Sequence, residues 1–141
     1  MASVRRSIRI ARPADEVWSH IGDAADLPNW FPGIGSAVID GTVRTITTDS
    51  GIPMPEQIVT NDPLARRFQY KLTAPIVSEH LGTIDVFDLE DGTSLVAYAT
   101  DAVPDPVALV IGGACGNALH ELRRQLEAPA TATATASGGE A

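Results

Sequence analysis

The chain has a single cysteine, Cys115, among its 141 residues. That excludes an intramolecular disulfide and a cysteine-rich zinc site. Lysine is just as scarce: Lys71 is the only one, and ten basic residues face eighteen acidic ones for a net charge of −8. Nucleic acid and anionic membrane both select a basic surface, so neither is an expected partner. No run approaches the roughly 20 apolar residues of a membrane span, so no stable membrane insertion is expected. The basic residues near the start have no apolar run of signal-peptide length behind them, and the expected location is the cytoplasm. The three histidines, His20, His80 and His120, are scattered without metal-ligand spacing. Gly-x-Ser-x-Gly and His-Glu-x-x-His are both missing, which removes support for hydrolase and zinc-protease chemistry. No metal and no cofactor are expected.

What remains is an ordinary globular composition, 44% hydrophobic and 20% charged, in a chain the size of one domain. Residues 1–127 read as that domain. From Ala128 the sequence turns to alternating alanine and threonine with no large apolar side chain to offset the entropy of ordering, and residues 128–141 are expected to be a disordered tail. Val4 to Ile10 alternates, with Val4, Ile8 and Ile10 on one face, and predicts a strand buried on one side. Pro13 opens a short helix with Asp15 and Glu16 in its first turn, and Gly22 ends it. Asp23 to Leu27 predicts a second short helix, stopped by Pro28. Strands follow over Ala37 to Asp40, Val43 to Thr48, Glu56 to Thr60, Arg67 to Thr73, Val77 to Leu89 and Ser94 to Asp101, with turns at Asp40-Gly41 and Asp91-Gly92. Pro104 to Glu127 carries Val107, Ile111, Ala114, Ala118, Leu122 and Leu126 at helical spacing and predicts one long helix. Antiparallel hairpins with segregated helices make an α+β fold.

This order resembles the helix-grip fold of the START-like superfamily, also called SRPBCC. The residues that carry the resemblance are Pro13-Ala14-Asp15-Glu16-Val17-Trp18 at the first helix, the turn Trp30-Phe31-Pro32-Gly33-Ile34, Gly41-Thr42-Val43-Arg44, Glu56, Asp62, Tyr70, the Asp91-Gly92 hairpin and Pro104. The likeness spans roughly Val4 to Glu127. Within the superfamily the chain looks closest to bacterial polyketide cyclase/dehydrase-like proteins and to the branch related to plant abscisic acid receptors. Ser50-Gly51-Ile52-Pro53 is similar to the receptors' gate loop, and Glu56-Gln57-Ile58 sits where they carry a ligand-facing glutamate. The strand Ala37 to Asp40 lacks the receptors' lysine, and their His-Arg-Leu latch is not present. The resemblance implies a curved antiparallel sheet of about seven strands wrapped around the long helix, with a cavity between them.

Several residues are candidates for contact with a ligand there. Glu56 on an apolar strand is either a buried carboxylate with a raised pKa or a rim residue paired with an arginine such as Arg44. His80 shares a strand face with Gly82, Ile84 and Val86; turned inward, it would be a polar group in an apolar cavity. Trp30, Tyr70 and Tyr98 offer apolar rings with a polar tip, although the alternation leaves the direction of Tyr98 open. Asn117 matches, to within one residue, a ligand-facing position of the resembled receptors. Gly112, Gly113 and Gly116 are costly in a helix, by about 1 kcal/mol each relative to alanine. Either Gly113 and its neighbours widen the cavity, or they mark a kinked or frayed helix. Cys115 reads as a buried, inert thiol.

Three functional readings stand. The first is binding of an apolar small molecule, lipid or polyketide-like, by a monomer or homodimer. The second is a cyclase or dehydratase using His80 and Glu56 as acid and base. The third is an interaction module with a vestigial cavity.

Overall fold

The computed structural model describes residues 1–129. The expected tail therefore lies, beyond Ala128 and Pro129, outside the described residues. The chain runs through β1 (Ala2–Ile10), α1 (Ala14–Ile21), a 3-10 turn (Ala24–Asp26), α2 (Leu27–Trp30), β2 (Ile34–Asp40), β3 (Val43–Thr48), β4 (Pro53–Asp62), β5 (Arg67–Leu72), β6 (Glu79–Asp88), β7 (Ser94–Val103) and α3 (Asp105–Glu127). The strands form one antiparallel sheet in the order β1-β7-β6-β5-β4-β3-β2. Every strand from β2 onward pairs with its neighbour in sequence, while β1 joins the far edge beside β7. The long helix packs against β1 and β7. This is the α+β helix-grip architecture expected from the sequence.

The strands obey period two because only one face of the sheet is covered. On β7, Ser94, Val96, Tyr98, Thr100 and Ala102 point inward and are buried, and their neighbours are half-buried. On β6, His80, Gly82, Ile84 and Val86 do the same. On α3 the buried stripe is Ala108, Gly112, Cys115, Ala118, Leu119 and Leu122. These faces meet in a core that also takes in Ile10, Val17 and Phe68. Burying each such aliphatic or phenyl side chain contributes roughly 1.5–3 kcal/mol. Bulges interrupt β2 between Ile34 and Ser36 and β4 between Ile58 and Thr60; a bulge bends its strand and adds to the sheet's twist.

Several local expectations are corrected. Pro28 does not stop a helix: it lies within the first turn of α2, where its missing N–H leaves no bond unmade. Gly22 does end α1 as expected, with φ −71° and its N–H donating to the Trp18 carbonyl. A Cβ there would lie 2.7 Å from the Trp18 ring, so glycine is needed for that ring to pack over the backbone. Asn61 and Asp62 belong to β4 rather than to a loop, and β2 begins at Ile34 rather than Ala37. The helix α3 is continuous through Gly112, Gly113 and Gly116. A Cβ on Gly112 would lie 2.5 Å from Val4, and one on Gly116 would lie 3.2 Å from Arg6, whereas one on Gly113 would meet nothing within 4 Å. Two of the three glycines thus bring the helix close to β1, and the compensation for their low helix propensity is helix–sheet packing rather than a wider cavity. No helix among the described residues is long and apolar enough to cross a membrane.

Candidate functional site

Between the N-terminal half of α3 and the inner face of the sheet lies a pocket of about 300 Å³. The turn after α2 supplies Phe31, Pro32, Gly33 and Ile34. The strands supply Ile46, Thr48, Met54, Glu56, Tyr70, Leu72 and His80. Val110, Ile111 and Ala114 of α3 form the opposite wall, and Ile76 joins them from the loop between β5 and β6. The lining is mostly apolar with a few polar groups among it, the usual make-up of a small-molecule site, and its volume falls at the small end of the range of about 300–1,000 Å³.

Glu56 and His80 therefore line the same pocket, as the sequence reading required for them to act together. Each is already engaged. Glu56 is 3% exposed and its Oε1 accepts a hydrogen bond of 2.7 Å from Nε of Arg44, which is itself 2% exposed. Both alternatives for Glu56 are thus half met: it is buried, and it is paired with Arg44. Burial pushes its carboxyl above the ordinary value, and the Arg44 guanidinium pulls it back. Arg44 also donates to the carbonyl oxygen of Ala24 at 3.1 Å and stacks over Phe68 and Tyr70, 5.1 and 5.2 Å from their ring centres. Such stacking suits a guanidinium better than an ammonium.

His80 reaches its place because the ladder between β5 and β6 ends at Tyr70–Gly82 and the strands then part. Into the gap comes the imidazole, whose Nδ1 accepts the Leu72 backbone N–H at 2.9 Å. An N–H donor requires an unprotonated acceptor, so the neutral ring carries its proton on Nε2. Burial lowers the imidazole pKa to about 4, against the opposing charge of Asp101. At neutral pH His80 is therefore a hydrogen-bond donor through Nε2 and not a free base.

Tyr70 forms part of the wall, and its hydroxyl lies 2.5 Å from that of Tyr98. Burial raises both phenols well above their usual range, so both stay protonated. Tyr98 points inward, which settles the direction left open by the alternation, but it meets the Tyr70 hydroxyl and the Phe31 ring and does not line the pocket. Gly82 is hidden under the Tyr70 ring. Trp30 is buried in the core with its indole N–H unpartnered among the described residues, and its neighbour Phe31 faces the pocket in its stead. Gly113 is not among the lining residues, and Asn117 is exposed; their expected ligand contacts find no counterpart in this geometry. Cys115 is fully buried beside Thr100, and burial raises its thiol to about 11. Among the described residues no three His, Cys, Asp or Glu side chains gather as a metal site.

The sequence reading missed the apolar wall of Ile34, Ile46, Met54, Ile76, Ile111 and Ala114. The signal available was indirect: Ile46 and Met54 lie on the strand faces shared with Arg44 and Glu56. A second hollow, about 670 Å³, lies on the outer side where β5 and β6 part, lined by Lys71, Thr73, Ser78, Glu79 and Asp101 together with Met1, Leu72, Val77, His80 and Leu81. It is larger, but its charged walls make it the poorer small-molecule site.

Comparison with known proteins agrees with the architecture. The family model described as polyketide cyclase / dehydrase and lipid transport matches residues 1–127. The protein XoxI from Bacillus cereus superposes with a TM-score of 0.83 at 28% identity, covering 89% of this chain and 96% of that one. The Zhui aromatase/cyclase from Streptomyces sp. R1128 superposes with a TM-score of 0.70 at 23% identity, covering 90% and 96%. A START superfamily protein from Mycobacterium smegmatis gives a TM-score of 0.75 at 15% identity, covering 89% and 97%. No curated protein matches the chain.

Proposed function

The chain belongs to the polyketide cyclase / dehydrase and lipid transport family, and from that premise we propose that it binds an apolar small molecule, lipid or polyketide-like, in the pocket between sheet and C-terminal helix. The observation that carries this reading is a mostly apolar pocket into which two buried polar side chains, Glu56 and His80, converge from different strands. Burial of ligand carbon would supply most of the affinity, at roughly 25 cal/mol per Å² before the costs of association. The Nε2–H of His80 offers a donor to a carbonyl or hydroxyl oxygen, and the second carboxylate oxygen of Glu56 offers an acceptor. Together they would orient a molecule with an oxygen function at one end.

The cyclase or dehydratase reading draws on the meeting of His80 and Glu56 in one pocket. Against it stand the Leu72 N–H on Nδ1, which takes the one basic nitrogen of the neutral imidazole, and the Arg44 guanidinium, which holds Oε1 of Glu56 and leaves Oε2 as its only open oxygen. Binding for carriage or sequestration is accordingly the function favoured. An open pocket also weighs against a vestigial cavity, which would be filled by the protein's own side chains. Native mass spectrometry of the purified protein, followed by denaturing extraction, tests the proposal. The expected result is an apolar compound at one per chain. Empty protein, together with no thermal shift across a panel of lipids and polyketide-like compounds, would overturn it.

A further inference from the structure

Gly82 and Tyr98 share the inward faces of β6 and β7 yet do not line the pocket: the Tyr70 ring rests on Gly82, and Tyr98 meets the Tyr70 hydroxyl and the edge of the Phe31 ring. A Cβ built on Gly82 would lie 2.6 Å from Cε1 and Cζ of Tyr70 and 2.9 Å from its hydroxyl oxygen. Real side chains do not approach so closely, so the ring rests directly on the Gly82 backbone. At its tip the ring is held by the Tyr98 hydroxyl, and Arg44 and His80 lie against it with centroid distances of 5.2 and 5.5 Å. Tyr98 is fully buried, as are Thr100, on the same face of β7, and Cys115, which touches Thr100 from α3. On the β5–β6 side of the pocket a ligand therefore meets Tyr70 before Gly82, while Phe31, also in the lining, stands against Tyr98.

We propose that Tyr70 is the floor that limits how long a ligand the pocket accepts, and that the missing side chain at Gly82 sets the height of that floor. The inference rests on the pocket being the ligand site and adds to it the residues that decide ligand length. Two substitutions move the floor in opposite directions. Gly82→Ala places a methyl group under the ring; the contact is with the far end of a side chain, so the ring gives way by tilting into the pocket. Tyr70→Leu removes the outer half of the ring and opens the space in front of Tyr98. In the double variant the added methyl has no ring to lift, so it should behave as Tyr70→Leu alone, a coupling that two independent disturbances would not produce.

The test is calorimetric titration with straight-chain methyl ketones of increasing length. In the unmodified protein, affinity is expected to rise about fourfold per methylene until the chain reaches the ring, and then to stop rising. The break should fall at longer chains in Tyr70→Leu and in the double variant, and at shorter chains in Gly82→Ala. The same break in all four proteins overturns the floor. If the unmodified protein binds no ketone of the series, the reading of the pocket as a ligand site falls instead. The floor is then decided by crystal structures of the ligand-free variants: a pocket that shrinks in Gly82→Ala and grows in Tyr70→Leu upholds it, and an unchanged pocket overturns it.

Discussion

The two halves of α3 carry similar apolar side chains to different ends. In the C-terminal stretch, Cys115, Ala118, Leu119 and Leu122 are fully buried against the sheet, and Gln125 ties the helix to the Asn29 carbonyl. Before Cys115, over Asp105 to Ala114, only Ala108 and Gly112 are buried. Ile111 and Ala114 border empty space, and Leu109 and Val110 are exposed. An amphipathic stripe states which face of a helix turns inward. It does not state whether that face meets close packing or a pocket. The C-terminal stretch packs closely against the fold, and the N-terminal stretch borders the pocket proposed above as a ligand site.

The largest expected effect is one that breaks this division. Arg44 and Glu56 sit on the pocket side, yet Arg44→Leu should cost about 3–5 kcal/mol, read as a lower urea midpoint, because it leaves Glu56 buried without its partner. Replacing both, as Arg44→Met with Glu56→Leu, should recover much of that loss. Next comes a direct comparison of the halves. Leu122→Ala is expected to cost about 2–5 kcal/mol of stability, while Ile111→Ala should lower stability less and weaken retention of an apolar ligand more. Thermal unfolding and native mass spectrometry of the same two variants read both sides, and equal effects on the two readouts would end the comparison.

A pH series sharpens it further. The His80 pKa is lowered to about 4 in the folded protein from an ordinary value near 6.5, so the unfolded chain binds the extra proton between those values. Stability contributed by His80 is therefore present above about pH 6.5 and is lost as pH falls toward 4. Glu56 acts in the opposite sense: its raised pKa gives stability that fades as pH rises through the folded value. The difference between the unmodified protein and His80→Gln isolates the histidine, and it should shrink on acidification. The smallest effect belongs to Val110→Ser, within about 0.5 kcal/mol of neutral for stability, with a measurable loss only in ligand affinity.

The order of strands and helices was legible because each strand alternates over one covered face and α3 keeps its period for its whole length. The face that His80 shares with Gly82, Ile84 and Val86 followed from the alternation, and the structure turns that face inward. What local sequence could not express was how side chains screen one another. Gly82 points the right way but lies under the Tyr70 ring, and Tyr98 is closed off by its contacts with the Tyr70 hydroxyl and the Phe31 ring. Where α2 ends there is no regular period, so nothing distinguished Trp30, its last residue, which enters the core, from Phe31, which borders the pocket. Asn117 rested on a position matched only to within one residue; on a helix one residue is a rotation of about 100°, enough to carry it from pocket to solvent.

The buried Arg44–Glu56 pair also constrains descent. Loss of either residue alone would leave the other buried without its partner, so such a step should be selected against, whereas replacement of both should be tolerated. A lineage can leave the paired state only by a second change that accompanies the first, or by a basic residue arising elsewhere that takes over Glu56. Descendants of this chain should therefore divide into those with both residues and those with neither, and the single-residue states should be short-lived.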